Sequence, residues 1–354
     1  MQHRPRDRKR YRCIIVMLAA FVFCSSTTFA ESSWDLAGYL NENAESTADA
    51  INGAVTDLTG LDADQWRLDI FVGSGWDTNV IAVPDGFTLP GTRSKGSAFL
   101  ETGFAFEYDI ITEETYTLSG GYLLTVNYFE ETVQQAHLHE NELYLTYQRD
   151  LRDDTLLTVT VTDIYTNLGN NSFENAIAVL SSIAVGVNET SYVEFGYEFY
   201  DYENSFFNAA GPVNDRDSHS SAISIMFVTE IPGVEESELY VGYSFTNTTA
   251  DGADFDSETD TWFIGFEAPL SVMNATIGAQ LSRVTDNYDN PHSFSGFATK
   301  RDDDTYEFEV IVIVPIGEKV DWYLSYLRET RDSNIAVFDY DQQIISTGLT
   351  LHVN

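Results

Sequence analysis

Carboxylates recur at even spacings in several stretches of this sequence, among them Glu101, Glu107 and Asp109, Glu194 and Glu198, and Glu307 and Glu309. Even spacing puts them on one face of an extended chain. A row of that kind gathers cations, or it supplies acid–base catalysis where a nucleophile and a base converge on it. No Ser/His/Asp set can be placed together from the spacing, and no glycine-rich phosphate loop is present, so an enzyme is not expected. Cys13 and Cys24 are the only cysteines, and both lie within residues 1–30. The remainder therefore has no thiolate chemistry.

Two further groups offer metal ligands. Asp254, Asp256, Glu258 and Asp260 alternate in an acidic run and could present oxygens to Ca²⁺, although the EF-hand glycine and distal glutamate are absent. A solvated acidic loop is the simpler reading. His137 and His139 point the same way in an extended chain, but no third ligand accompanies them. No cofactor is expected. The net charge of −38 repels nucleic acid and favours cationic partners.

The elements that must carry these residues are strands. In residues 304–331, Tyr306, Phe308, Val310, Val312 and Val314 alternate with Glu307, Glu309, Ile311 and Ile313. After 315–319, Val320, Trp322, Leu324 and Tyr326 alternate with Asp321, Tyr323 and Ser325. The pair reads as a hairpin with one apolar and one wet face. The same rhythm runs through 66–72, 100–110, 116–128, 143–147, 157–161, 177–185, 193–199, 223–227, 239–245, 262–268, 273–281 and 345–353. With the hairpin this makes about fourteen strands, an even number in the range of bacterial outer-membrane barrels.

A soluble sandwich and a membrane barrel both use such strands, and the connections separate them. Short turns at 113–114, 150–154, 188–189, 231–237, 269–272 and 315–319 alternate with longer Asn/Asp/Gly-rich loops at 84–95, 201–217, 249–258, 287–303 and 332–336. Trp66, Tyr108, Tyr116, Tyr147, Trp262, Trp322 and Tyr326 fall at strand ends, where a barrel carries its aromatic girdles. The expected fold is all-β, an antiparallel transmembrane barrel of about fourteen strands at residues 65–354.

Two segments precede it. Residues 1–30 read as a signal peptide: Arg4, Arg6, Arg8, Lys9, Arg10 and Arg12, then an apolar core and a small-residue cleavage site before Glu31. Residues 31–64 read as an amphipathic helix on Trp34, Leu36, Tyr39, Leu40, Ala44, Ala48, Ile51, Val55 and Leu58, either a plug or a periplasmic segment. The expected location is the Gram-negative outer membrane, with both termini periplasmic and lipid as the main partner.

In such a barrel the wet faces line the lumen. Asp69, Asp77, Glu101, Glu107, Asp109, Glu194, Glu198, Glu267, Glu307, Glu309, Asp321 and Glu329 would then make an acidic wall that concentrates cations. The expectation is a pore for small cationic or neutral solutes. A structural or adhesive surface barrel whose loops are the active part is the alternative from a different class.

Two short motifs carry a resemblance. Gly75-Trp76-Asp77-Thr78-Asn79 in the first strand is similar to the motif that opens the barrel of the surface lipoprotein assembly modifiers, proteins that join tetratricopeptide repeats to an outer-membrane barrel. Ser333-Asn334, followed by Asp339-Tyr340-Asp341, resembles their last hairpin. The family's helical repeats have no counterpart in residues 31–64. The resemblance therefore implies barrel architecture first, and a role as export accessory for a surface-protein client second.

Overall fold

The computed structural model describes residues 65–80, 82, 95–130, 137–169, 171–204 and 215–353. The signal peptide and helix expected at 1–30 and 31–64 lie outside the described residues. Fourteen strands follow one another: β1 (Trp66–Asp77), β2 (Ser97–Thr112), β3 (Tyr116–Phe129), β4 (Leu138–Arg152), β5 (Thr155–Leu168), β6 (Asn171–Gly186), β7 (Ser191–Asn204), β8 (Ser218–Thr229), β9 (Glu238–Ala250), β10 (Ser257–Pro269), β11 (Thr276–Pro291), β12 (Lys300–Pro315), β13 (Val320–Ser333) and β14 (Tyr340–Val353). Each pairs antiparallel with its sequence neighbours, and β14 returns to β1, closing the barrel.

The period of two decides which side chain faces which way. Leu143, Ile177, Phe195, Ile223, Trp262, Ile264 and Leu281 are large apolar side chains that stand exposed on the outer face. The alternate positions, many of them Thr, Ser, Glu or Gly, turn to the concave face. Burial is thus inverted relative to a globular domain: the apolar side is the one left open. Closure is what makes this viable, because a closed sheet leaves no edge of unpaired backbone groups.

Several strands run further than their apolar pattern. β7 continues to Asn204, β9 to Ala250, β11 to Pro291, and β12 begins at Lys300, so the ends of what reads as long loop at 201–217, 249–258 and 287–303 are strand. Backbone pairing does not depend on apolar side chains, so the ladder extends into Asn-, Asp- and Thr-rich sequence that carries no hydrophobic alternation. With 12 to 16 residues each, the strands exceed the ~9–11 that a tilted strand needs to cross a bilayer. In the opposite direction, Met273 and Asn274 belong to the turn before β11, with φ of 63° and 52°, and not to the strand expected at 273–281.

The closing seam is unequal. β1 is in register with β14 from Leu68↔Val353 to Asp77↔Ile344, ten pairs, but with β2 only at Trp66↔Tyr108 and Arg67↔Glu107. Trp66 is 2% exposed and packs with Val353, Leu68, Phe106 and Tyr108, so it anchors this seam instead of standing in an outer girdle as expected. Across the seam, a Cβ on Gly348 would lie 2.5 Å from the Val72 carbonyl and 2.7 Å from the Gly73 Cα. Gly348→Val is expected to destabilise the barrel by about 1–3 kcal/mol through overpacking against backbone. The folded, heat-modifiable band of the detergent-solubilised protein should be lost at lower urea than in the parent chain.

Candidate functional site

The concave wall brings the expected carboxylates together. Asp69, Asp77, Glu101, Glu107, Asp109, Glu194, Glu198, Glu267, Glu307, Glu309, Asp321 and Glu329 all occupy the face opposite the exposed apolar set, by the register of their strands. Other carboxylates share that face, among them Glu140, Glu142, Glu174, Glu238, Asp286 and Asp303. Each of these lies just beyond the strand bounds that the apolar pattern defines.

Basic side chains on this wall are few and engaged. Arg67 pairs with Glu107, and Arg301 with Asp303, while Arg331 lies 3.9 Å from Glu329. His352 bridges Asp69 at 2.7 Å and Asp321 at 3.1 Å, tying β1 to β13 across β14. Those two carboxylates are therefore seam fasteners as well as wall charges. Several of the others accept from neutral donors. Ser282 Oγ donates to Glu307 at 2.8 Å, the Tyr323 hydroxyl to Glu101 at 3.0 Å and the Tyr200 hydroxyl to Glu198 at 3.4 Å. Neutral donors fix a carboxylate's position without cancelling its charge.

Several large aromatics on the concave face lie against glycines of nearby strands. The Tyr323 ring lies over Gly73, the Tyr144 ring over Gly121, and the Phe263 ring over Gly242, each so close that a Cβ at the glycine would overlap it. The glycines let these three rings lie along the wall.

The four carboxylates proposed as Ca²⁺ ligands are not brought together. Asp254 accepts from the Ser293 amide at 3.0 Å and from its hydroxyl, and Asp256 from the Ala250 amide at 2.8 Å and Asn290 Nδ2 at 3.0 Å. Asp260 accepts from the Tyr243 hydroxyl on the outer face, and Glu258 stands opposite Asn247 and Asn287. The strand alternation expected for this run fails because Asp254 and Asp256 precede β10 in a folded turn. Among the described residues, the carboxylates that do converge are Asp215, Asp217 and Asp251. His137 and His139 also have other work: both contact the Tyr128 ring edge-on at 5.7 Å, and His137 Nδ1 accepts from the Phe129 amide at 3.0 Å. Burial and the neighbouring His139 lower the pKa of His137.

The two motifs from opposite ends of the chain meet at one place. Asp77 accepts from the Asn79 amide at 2.7 Å and from Gln342 Nε2 at 2.8 Å, and Asn79 Nδ2 donates to the Asp341 carbonyl at 3.1 Å. Gly75 stands opposite Ser346, Asn334 Nδ2 donates to the Lys300 carbonyl at 2.9 Å, the Ser333 amide bonds Asp339, and Tyr340 bonds Glu329. The motifs are thus the hydrogen-bonded end of the β1–β14 seam and the last hairpin beside it.

A closed antiparallel barrel with an apolar exterior and a polar interior is the architecture of a membrane-spanning β-barrel. Among solved structures, the chain is similar to an outer membrane protein of Vibrio cholerae, OmpT lacking loop L8, at 9% identity and a TM-score of 0.47, covering 81% of this chain and 98% of that one. It is also similar to the outer membrane channel DcaP of Acinetobacter baumannii, at 10% identity and a TM-score of 0.46, covering 81% and 96%. A bacterial polysaccharide outer membrane secretin matches at 8% identity and a TM-score of 0.46, covering 82% and 99%. These identities are too low to carry a function across. No protein-family model and no curated protein matches the chain, so the likeness to lipoprotein assembly modifiers rests on the two short motifs alone.

Proposed function

We propose that this protein is an outer-membrane pore that passes small cationic or neutral solutes, with both ends of the barrel domain on the periplasmic side. The observation that carries this reading is the charge of the concave wall. Carboxylates there outnumber bases, Arg67, Arg301 and Arg331 each lie beside a carboxylate, and Glu101, Glu198 and Glu307 accept hydrogen bonds from hydroxyl groups instead of pairing with a base. Such a wall raises the local concentration of cations and depresses that of anions. The short connections at the end that holds Trp66 and Val353 fit the periplasmic mouth.

The test is a planar bilayer holding the mature protein between concentrated and dilute KCl. The expected result is steady channel current with a reversal potential of the sign set by K⁺ permeation. A silent barrel, or a reversal potential set by Cl⁻, would overturn the proposal.

A further inference from the structure

We infer that a groove of about 430 Å³ on the outer face of β1 to β3 lodges part of one acyl chain of a membrane phospholipid, at a fixed position beside the closing seam. This goes beyond the pore reading and needs only the closed barrel and its apolar exterior.

The groove follows from how three strands meet. The β1–β2 register ends at Arg67↔Glu107, and the groove opens directly beyond it. Leu68 and Ile70 of β1 form one wall, Leu124 and Val126 of β3 the other, and Thr102 with the backbone at Gly103 lies between them. The two aromatic side chains of β2 nearest the space are drawn aside. Phe106 packs with Trp66, their ring centroids 6.3 Å apart, and Phe104 with Tyr122 at 5.6 Å. Around the groove, Val72, Leu100 and Tyr128 stand 48%, 46% and 43% exposed, so it is continuous with the apolar exterior.

The ligand class follows from the lining and the depth. The one polar side chain of the lining, Thr102, already donates its hydroxyl proton to the Phe71 carbonyl at 3.3 Å. A sugar, a peptide or a lipid headgroup would bring polar groups that find no side-chain partner there, which is costly away from water. A hydrocarbon chain asks for none, and it restores the close contacts that an empty groove forfeits. The groove also starts two residues inward of Trp66↔Tyr108, where the β1–β2 ladder begins at the short-turn end. That position is the depth of lipid tails, inside the interfacial level that headgroups occupy. Leu143 and Ile223, each 59% exposed, stand out from the same outer face on other strands and serve as the reference for lipid that only passes by.

The probe is a phosphatidylethanolamine with a diazirine in one acyl chain, carried in phosphatidylcholine vesicles that hold the mature protein. After illumination and digestion, mass spectrometry maps the adducts. Labelling at 68–70, 102–104 or 124–126 is expected to exceed that at Leu143 and Ile223 by about fivefold or more, and to saturate as the probe fraction rises. Thr102→Leu, and separately Ile70→Trp, fill the groove and should bring its labelling down to the reference yield, with Leu143 and Ile223 unchanged. Heat-modifiable migration identifies variants that retain the barrel, and labelling is compared among those. Groove labelling no higher than the reference, or unaltered in both filled variants, would overturn the assignment. An unlabelled groove in the parent chain, the result of cover by residues 31–64, would do the same. The readout does not require conduction, so a silent bilayer counts against the pore and not against the groove.

Discussion

Neutralising Glu194, Glu198, Glu307 and Glu309 together, each to glutamine, is expected to lower the preference for K⁺ over Cl⁻ by at least about tenfold, with single-channel conductance in KCl falling alongside it. The four lie on β7 and β12, and their strand register places all of them on the concave face. Glutamine keeps the volume of each side chain and an acceptor for the Ser282 and Tyr200 hydroxyls, so the barrel should still assemble. What changes is the field along the wall. Charges that line a low-dielectric passage focus their potential into it, and the ion population inside responds exponentially. The reversal potential of the quadruple variant under a KCl gradient is the measurement. An unchanged value would show that selectivity, if any, originates elsewhere.

The second large effect belongs to stability. Asp303→Ala is expected to cost about 3–5 kcal/mol, because it strands a buried guanidinium. Arg301 and Asp303 are 6% and 0% exposed, and Arg301 Nε donates to Asp303 Oδ2 at 2.8 Å. The guanidinium is packed between aromatic rings, 3.5 Å from the Phe338 centroid and 4.5 Å from that of Tyr288. Phe338 belongs to the β13–β14 connection, so this one cation pins that connection to the wall. Asp303→Asn, which keeps an acceptor of the same shape, should lose less. Urea unfolding of the detergent-solubilised protein, read as loss of the heat-modifiable band, compares the two. Equal midpoints for the parent chain and the alanine variant would refute the role given to the pair.

Strand number and strand direction were readable as a period of two, and the same period decides the face on which each of the twelve named carboxylates stands. That period is imposed by the medium on each face, which is why it carried so far. It stopped where both faces become wet. Glu140, Glu142, Glu174, Glu238, Asp286 and Asp303 sit on polar strand ends, where pairing continues but no apolar partner marks the alternation. Asp254 and Asp256 failed for a related reason: an even spacing means a common face only inside a strand, and these two lie in a turn that spends its carboxylates on its own amides. The counterions of Asp69 and Asp321 were also hidden, because His352 is brought to them only by closure of a ring whose ends are far apart in sequence. The glycine seats of the aromatic rings were invisible for the same reason, each being a contact between strands.

The unequal joints on either side of β1 carry an implication for biogenesis. This first strand is committed to the last one over ten register pairs and to the second over two, so the earliest part of the barrel to be made has its main partner in the latest. Closing the ring through that ladder therefore waits until the final hairpin is delivered.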